Sequence, residues 1–269
     1  MQKQSASSRT DLINRGPAML VMGILNVTPD SFADGGKHFI FEQAVQHGLQ
    51  MIEDGVDIID IGGESTRPGA DRVSEEEEQR RVIPVIRELI GKGAEISIDT
   101  MRASTARIAV ESGATIVNDV SGGAADARMF STIAELGCKY TLMHWRGHSK
   151  DMNERAKYDN VVQEVISELT FQLDKAIAAG IKRENIILDP GLGFAKDTEH
   201  NWEILENLDE FIALGYPVLI GHSRKRFIGG ERPDDREEGT LAISQSLIGS
   251  GIWAVRVHNV KPHAEMVKR

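Results

Sequence analysis

A series of short apolar runs in this chain is followed, in each case, by side chains able to bind or polarise a ligand. In order these are Asn26, the group Glu64, Ser65, Thr66 and Arg67, then Asp99, Asn118 with Asp119, His144, Asp189, Ser223 with Arg224 and Lys225, and Arg256 with His258. Any one of them would read as a turn or a helix cap, as Asp99-Thr100 and Asp189-Pro190 do when taken alone. Eight such endings together read as one site, because parallel α/β folds gather ligands at the carboxyl ends of their strands. Two chemistries are mixed. Asp99, Asn118 and Asp189 offer acceptors and an amide suited to a flat heterocycle with a guanidine-like edge, where a carboxylate accepts two parallel N–H bonds. Arg67, Arg256 and His258 suit phosphate oxygens instead. In a closed barrel Asn26 joins that anionic corner, and an oxygen donor beside a diphosphate is what Mg2+ uses. Ser223-Arg224-Lys225, behind the strand at 216–220, adds two cations and a hydroxyl and reads at first as an anion site.

The elements that must position these groups follow from periodicity. Strands are predicted at 19–25, 56–61, 95–98, 115–120, 140–143, 186–188, 217–220 and 252–257, with helical spacing at 41–53, 75–90, 102–111, 127–136, 161–179, 199–214 and 239–248. Glycines at 55, 91, 113, 137, 180, 215 and 251 stand where left-handed helix caps are needed. Eight strands alternating with helices predict a single (β/α)8 TIM barrel with its active site at the carboxyl ends of the strands. A doubly wound sheet fits less well, since no G-x-G-x-x-G follows the first strand. No linker or low-complexity segment divides residues 1–269, so one domain is expected, with 1–17 as a flexible extension. The run Glu75 to Glu78 follows Ser74 and reads as the charged opening of a helix.

Composition narrows the partners. Against 41 acidic residues stand 31 basic ones, a formal net charge of −10, which excludes nonspecific nucleic-acid or anionic-membrane binding as the main task and makes any anion site local. Cys138 is the only cysteine, so no intrachain disulfide or thiolate zinc cluster is available, and its place at the start of a strand makes it structural. The polar opening of the chain lacks a signal-peptide core, and no apolar run approaches a membrane span. A cytoplasmic protein is expected.

Seven segments carry a family resemblance: residues 23–32 (GILNVTPDSF), 60–69 (DIGGESTRPG), 97–100 (SIDT), 117–122 (VNDVSG), 189–194 (DPGLGF), 223–225 (SRK) and 256–258 (RVH). In type and order they closely resemble the dihydropteroate synthases, the sulfonamide-target family of folate biosynthesis. The resemblance covers the chain from about Met19 to His258. It implies an alkyl transfer in which 6-hydroxymethyl-7,8-dihydropterin diphosphate condenses with p-aminobenzoate, releasing pyrophosphate and using Mg2+.

By resemblance Asp99, Asn118, Met143, Asp189 and Lys225 bind the pterin, and Phe32, Thr66, Pro68, Phe194 and Ser223, with Lys225, shape the p-aminobenzoate pocket. Asn26, Arg67, Arg256 and His258 match the diphosphate positions, with Asn26 the metal ligand. The catalytic set is then Asn26, Asp34, Arg67, Lys225, Arg256 and His258. The resemblance favours a dissociative step in which Asp34 stabilises a cation at the pterin methylene, with no protein nucleophile. Met143 reads equally as core packing, and Asp34 also as part of an Asp-Gly-Gly turn. Glycines 35, 36, 62, 63 and 69 mark the first two loops as mobile lids. Sulfonamides are expected as competitive inhibitors and a homodimer as the assembly. Asn259 departs from the Asp usual in the family, and the short stretch after His258, with Pro262 where the last helix should begin, makes the dimer less secure than the site. Two other readings share the fold: a pterin-binding methyltransferase barrel, which holds no diphosphate, and a non-catalytic pterin-binding paralogue, which would show damaged anion motifs.

Overall fold

The computed structural model describes residues 19–28, 37–64, 73–147 and 155–268. Its eight strands are β1 (Leu20–Asn26), β2 (Ile58–Gly62), β3 (Glu95–Asp99), β4 (Ile116–Asp119), β5 (Lys139–Met143), β6 (Ile186–Asp189), β7 (Leu219–Ile220) and β8 (Ala254–Val257). All pair in parallel in the order β6-β5-β4-β3-β2-β1-β8-β7. A parallel bridge between Leu188 and Val218 closes the ring, with the Leu188 N–H donating to the Pro217 carbonyl at 2.9 Å. The helices are α1 (Lys37–Glu53), α2 (Glu75–Leu89), α3 (Ala103–Glu111), α4 (Met129–Leu136), α5 (Val161–Ala178), α6 (Thr198–Glu206), α7 (Leu208–Ile212), α8 (Glu237–Ser246) and α9 (Val260–Val267). The predicted (β/α)8 barrel is the observed fold.

Alternation along the strands explains both the core and the site. Val21, Leu25, Ile59, Ile61, Val117, Leu188 and Val255 pack outward against the helices in the main core, while Met22, Ile58, Ile116, Ile187, Leu219 and Ala254 form a second, enclosed cluster inside the barrel. Strands apolar on both faces are what an all-parallel sheet covered by helices requires. Above that floor the inward positions turn polar: Asp60, Ser97, Asn118, Thr141 and Asp189 are all buried, and Arg256 reaches Asp60. The barrel therefore runs from a dry floor to a charged mouth.

Several boundaries differ from the sequence prediction for local reasons. The predicted helix 199–214 divides into α6 and α7 at Asn207, whose side-chain amide donates to the Glu203 carbonyl at 2.7 Å and competes with the helical ladder. α8 starts at Glu237 rather than Gly239, after a short 3-10 turn at Pro233–Arg236. α9 starts at Val260, ahead of Pro262; proline is tolerated there because first-turn N–H groups have no helical partner. The predicted cap at Gly137 holds, with φ 65° and its N–H on the Ile133 carbonyl at 2.9 Å. No helix among the described residues is long and apolar enough to cross a membrane.

Candidate active site

The mouth is organised around a buried ion-pair cluster. Arg256 Nε donates to Asp60 Oδ2 at 2.6 Å and its Nη2 to Asp99 Oδ2 at 2.7 Å, while Asn118 Nδ2 donates to Asp60 Oδ2 at 2.9 Å. Strand register accounts for the meeting, since Asp99 pairs with Asn118 across β3 and β4 and Asp60 lies one inward position below Gly62. Burial pushes the Asp99 carboxyl up to about 7, with Arg256 pulling against it and Asp60 adding to it. Burial also lowers Arg256, but Asp60 and Asp99 more than offset this and leave it above its ordinary value. With its nitrogen donating to Asp60, Asn118 has its amide oxygen left for a ligand.

Asp189 and Lys225 face each other across the seam between β6 and β7. Asp189 Oδ1 accepts from the Gly191 N–H at 2.7 Å. Burial raises its pKa, against the opposing charge of Lys225. Lys225 is pushed down to about 8 by burial, with Asp189 holding it up. Its Nζ donates to the Leu192 carbonyl and lies 4.7 Å from the Phe194 ring centre. A Cβ placed on Gly221 would sit 3.7 Å from Asp189 Oδ2 and 3.9 Å from Lys225 Nζ. Gly221 has no positive φ, so what its missing side chain provides is room between an anion and a cation. Met143 is buried on the same rim, its Cγ 3.4 Å from where a Gly191 Cβ would stand.

Asn26 and His258, two of the residues predicted to bind an anion, lie at the ends of the neighbouring strands β1 and β8. Ser223 Oγ is 2.9 Å from His258 Nδ1 and accepts from the His258 N–H at 3.2 Å, tying the loop after β7 to the end of β8. A Cβ on Gly62 would stand 3.7 Å from Asn26 Oδ1 and 3.8 Å from Asp99 Oδ2, so both oxygens border the room left by the missing side chain. No group of three or more His, Cys, Asp or Glu side chains able to hold a metal exists among the described residues. This donor set does not fit a resident metal cage. It fits Mg2+ arriving with a diphosphate, because that ion keeps water and phosphate oxygens and needs only one or two protein ligands.

Other strand-exit residues brace the mouth instead of lining it. Asp119 accepts from Ser121 N at 2.8 Å, Gly123 N at 2.9 Å and the Tyr140 hydroxyl at 2.8 Å. Glu64 accepts from Arg102 Nη2 at 2.8 Å and Val73 N at 3.2 Å, joining the two ends of the β2–α2 loop. Arg102 also donates to Glu78 at 2.7 Å, and Glu78 accepts from Thr100 at 2.7 Å and Thr105 at 3.0 Å. The charge run Glu75 to Glu78 thus does two jobs: it opens α2 behind the Ser74 cap, and its last member is a buried anchor. Arg224, in left-handed backbone at φ 57°, pairs with Glu237 at 2.8 Å and Asp234 at 3.2 Å and braces its own loop. Burial pushes the Cys138 thiol up to about 11, in keeping with a structural role. His144 turns away from the mouth, with Nε2 2.9 Å from Glu168 and Nδ1 2.9 Å from Lys196 Nζ.

Sequence reasoning passed over Asp60 and Lys196. Asp60 is a fully buried acid within a strand, two positions below an inward glycine, and that alternation could have found it. The predicted Phe32, Asp34, Thr66, Arg67 and Pro68, the extension 1–17 and most of both predicted lids lie outside the described residues.

The molecule is thus a (β/α)8 barrel whose mouth gathers buried Asp60, Asp99, Asn118 and Asp189 with the cations of Arg256 and Lys225. Residues 22–258 match the family of pterin-binding enzymes. The dihydropteroate synthase of Mycobacterium leprae (strain TN) is 47% identical over 258 residues, spanning 92% of this chain and 91% of that protein. The Xanthomonas albilineans dihydropteroate synthase solved with 4-aminobenzoic acid superposes with a TM-score of 0.87 at 42% identity, covering 93% of this chain and 91% of that one. The Yersinia pestis dihydropteroate synthase, solved as a sulfonamide drug complex, gives 0.86 at 37% identity, covering 93% and 92%. This chain belongs to the dihydropteroate synthase family of pterin-binding enzymes.

Proposed function

We propose that the protein condenses 6-hydroxymethyl-7,8-dihydropterin diphosphate with p-aminobenzoate to give 7,8-dihydropteroate and pyrophosphate. The observation that carries this reading is the placement of Asp189 and Lys225 around the room left by Gly221, in the mouth that also holds Asp99, Asn118 and Arg256. A pterin presents a 2-amino group and an N3–H on one edge with a carbonyl beside them. Asp189 accepts from the first two and Lys225 donates to the third, so one flat ring satisfies both buried charges. Asn118 and Asp99 accept from the ring nitrogens beyond, and Met143 packs on its face.

The reaction breaks the bond between the pterin methylene carbon and the diphosphate oxygen, whose electron pair leaves with pyrophosphate. Arg256 and His258, joined by Arg67, stabilise that growing charge, and Asn26 is the residue that would hold Mg2+. When bound with the diphosphate, the ion supplies further charge neutralisation at the leaving group. The p-aminobenzoate nitrogen then bonds to the methylene carbon and gives up one proton to the medium. Asp34 stabilises positive charge on the methylene, and no protein nucleophile takes part. Phe194, Phe32 and Pro68 enclose the arylamine ring, while Ser223 and Thr66 receive its carboxylate. Sulfonamides, which present the same arylamine, compete for this pocket. A homodimer in the cytoplasm is the assembly and setting we assign.

The test is to incubate the purified protein with the pterin diphosphate, p-aminobenzoate and Mg2+ and to follow dihydropteroate and pyrophosphate by chromatography. Product formed in equal amounts, lost on chelation and suppressed by a sulfonamide, is expected. Intact pterin binding without product would leave a non-catalytic pterin-binding protein.

A further inference from the structure

The β6–α6 loop lies between two lysines, and the reaction uses only one of them. Lys225 stands on the mouth side and holds the Leu192 carbonyl. Lys196 stands on the far side and is buried, its Nζ 3.1 Å from the Gly191 carbonyl, 3.1 Å from the Phe194 carbonyl and 2.9 Å from His144 Nδ1. An ammonium has three protons and no acceptor, so these three contacts use all of them. The acceptor state of His144 is fixed from behind. With Nδ1 accepting from Lys196, its Nε2 carries the proton that goes to Glu168 at 2.9 Å, and Arg146 holds Glu168 through Nε at 3.0 Å. Tyr158 adds a bond from its hydroxyl to the Ala195 carbonyl at 2.9 Å.

The loop needs such a hold. Gly191 and Gly193 lie at φ 70° and 75°, and Ala195 takes a left-handed φ of 47°, a conformation unfavourable for a residue with a Cβ. This loop carries Phe194. When a pterin carbonyl draws Lys225 Nζ away from Leu192, the loop loses its hold at Leu192, next to Gly193 and Phe194, while Phe194 must stay in place for the second substrate. We infer that Lys196, aligned by His144 and Glu168, is a positioning residue that latches the β6–α6 loop and keeps Phe194 at the arylamine pocket once Lys225 is engaged by the pterin. The inference rests on the reaction assigned above.

Steady-state kinetics of Lys196→Met test it. The KM for p-aminobenzoate should rise about tenfold, with kcat and pterin affinity within about twofold of the parent protein. His144→Asn keeps an acceptor at the Nδ1 position and should stay near the parent KM, whereas His144→Leu should follow Lys196→Met. Hydrogen exchange at the Gly193 and Phe194 amides of the pterin-bound protein should be faster in Lys196→Met than in the parent. An unchanged KM with unchanged exchange would overturn the latch, and so would equal losses in KM, kcat and pterin affinity that His144→Asn shares with His144→Leu. If the parent protein makes no dihydropteroate, the assigned reaction fails, and the exchange comparison still decides the latch.

Discussion

Replacing Asp189 with Asn separates the charge of the carboxylate assigned above to the pterin edge from its shape. Asn retains an oxygen for the Gly191 N–H, which Asp189 Oδ1 accepts at 2.7 Å, so the turn into the β6–α6 loop keeps its anchor. The second oxygen becomes an NH2 group that meets a ligand donor with a donor. A hydrogen bond to a charged group contributes about 1.5–3 kcal/mol, and a buried donor left unsatisfied costs about 1–3 kcal/mol more. Together these give roughly 2.5–6 kcal/mol, or a loss of roughly 60- to 20,000-fold in pterin affinity at about 1.4 kcal/mol per decade. The same change removes the anion that holds Lys225 and Lys196 up, so both lysines should titrate lower than about 8 and about 7. Calorimetric titration with a pterin reads the affinity, and circular dichroism with a urea melt verifies the fold. An Asp189→Asn protein that folds normally and binds within about threefold of the parent would refute the assignment of this carboxylate to the pterin edge.

Four further outcomes follow from the geometry. Arg102→Met removes the guanidinium that bridges buried Glu64 and Glu78 and should cost about 3–5 kcal/mol in urea unfolding, with partial recovery on adding Glu64→Gln and Glu78→Gln. Gly191→Ala puts a Cβ 2.4 Å from the His144 carbonyl at φ 70°, and should lower stability by at least ~2 kcal/mol in the same assay. Gly221→Ala meets no backbone strain and only ordinary contacts at 3.7 and 3.9 Å, so its melting temperature should hold while pterin affinity falls at least about tenfold in calorimetry. Burial, followed by the charge of Lys196, pushes His144 down to about 4. The unfolded chain therefore takes that proton first, and a contribution complete above about 6.5 is lost as the pH falls toward 4, on the order of 3 kcal/mol. Stability measured across that window should show a steeper acid decline in the parent protein than in His144→Asn.

How far the sequence announced this site depended on the parity of each residue along its strand. Asn26, Asp99, Asn118, Asp189, Arg256 and His258 share the inward parity of their strands and meet at the mouth. Thr100, Asp119 and His144 each follow an inward residue by one position, and each bonds into the shell around the barrel instead. An apolar run ending in polar residues announces a strand exit, but on a strand buried on both faces hydrophobicity does not say which neighbour points inward. Lys196 was hidden for a different reason. A lysine beyond a glycine-rich loop reads as solvated, and only the folded path of Gly191 to Ala195 turns its ammonium inward. The division at Asn207 was equally invisible, because the apolar spacing continues through it and the break comes from one side-chain amide.

The closure of the barrel has a consequence for how ligand and fold depend on each other. β7 is only two residues long, and a single bridge at Leu188 and Val218 joins it to β6, so the ring is fastened there by fewer backbone bonds than at its other joins. Asp189 and Lys225 stand on opposite sides of that join. A pterin gripped by both becomes a rivet across the weakest part of the ring, and its binding energy is then also closure energy for the barrel. A pocket on a continuous sheet would gain nothing comparable. Saturating pterin should therefore slow amide exchange at Leu188 and Val218 more than at the well-paired β1–β2 join.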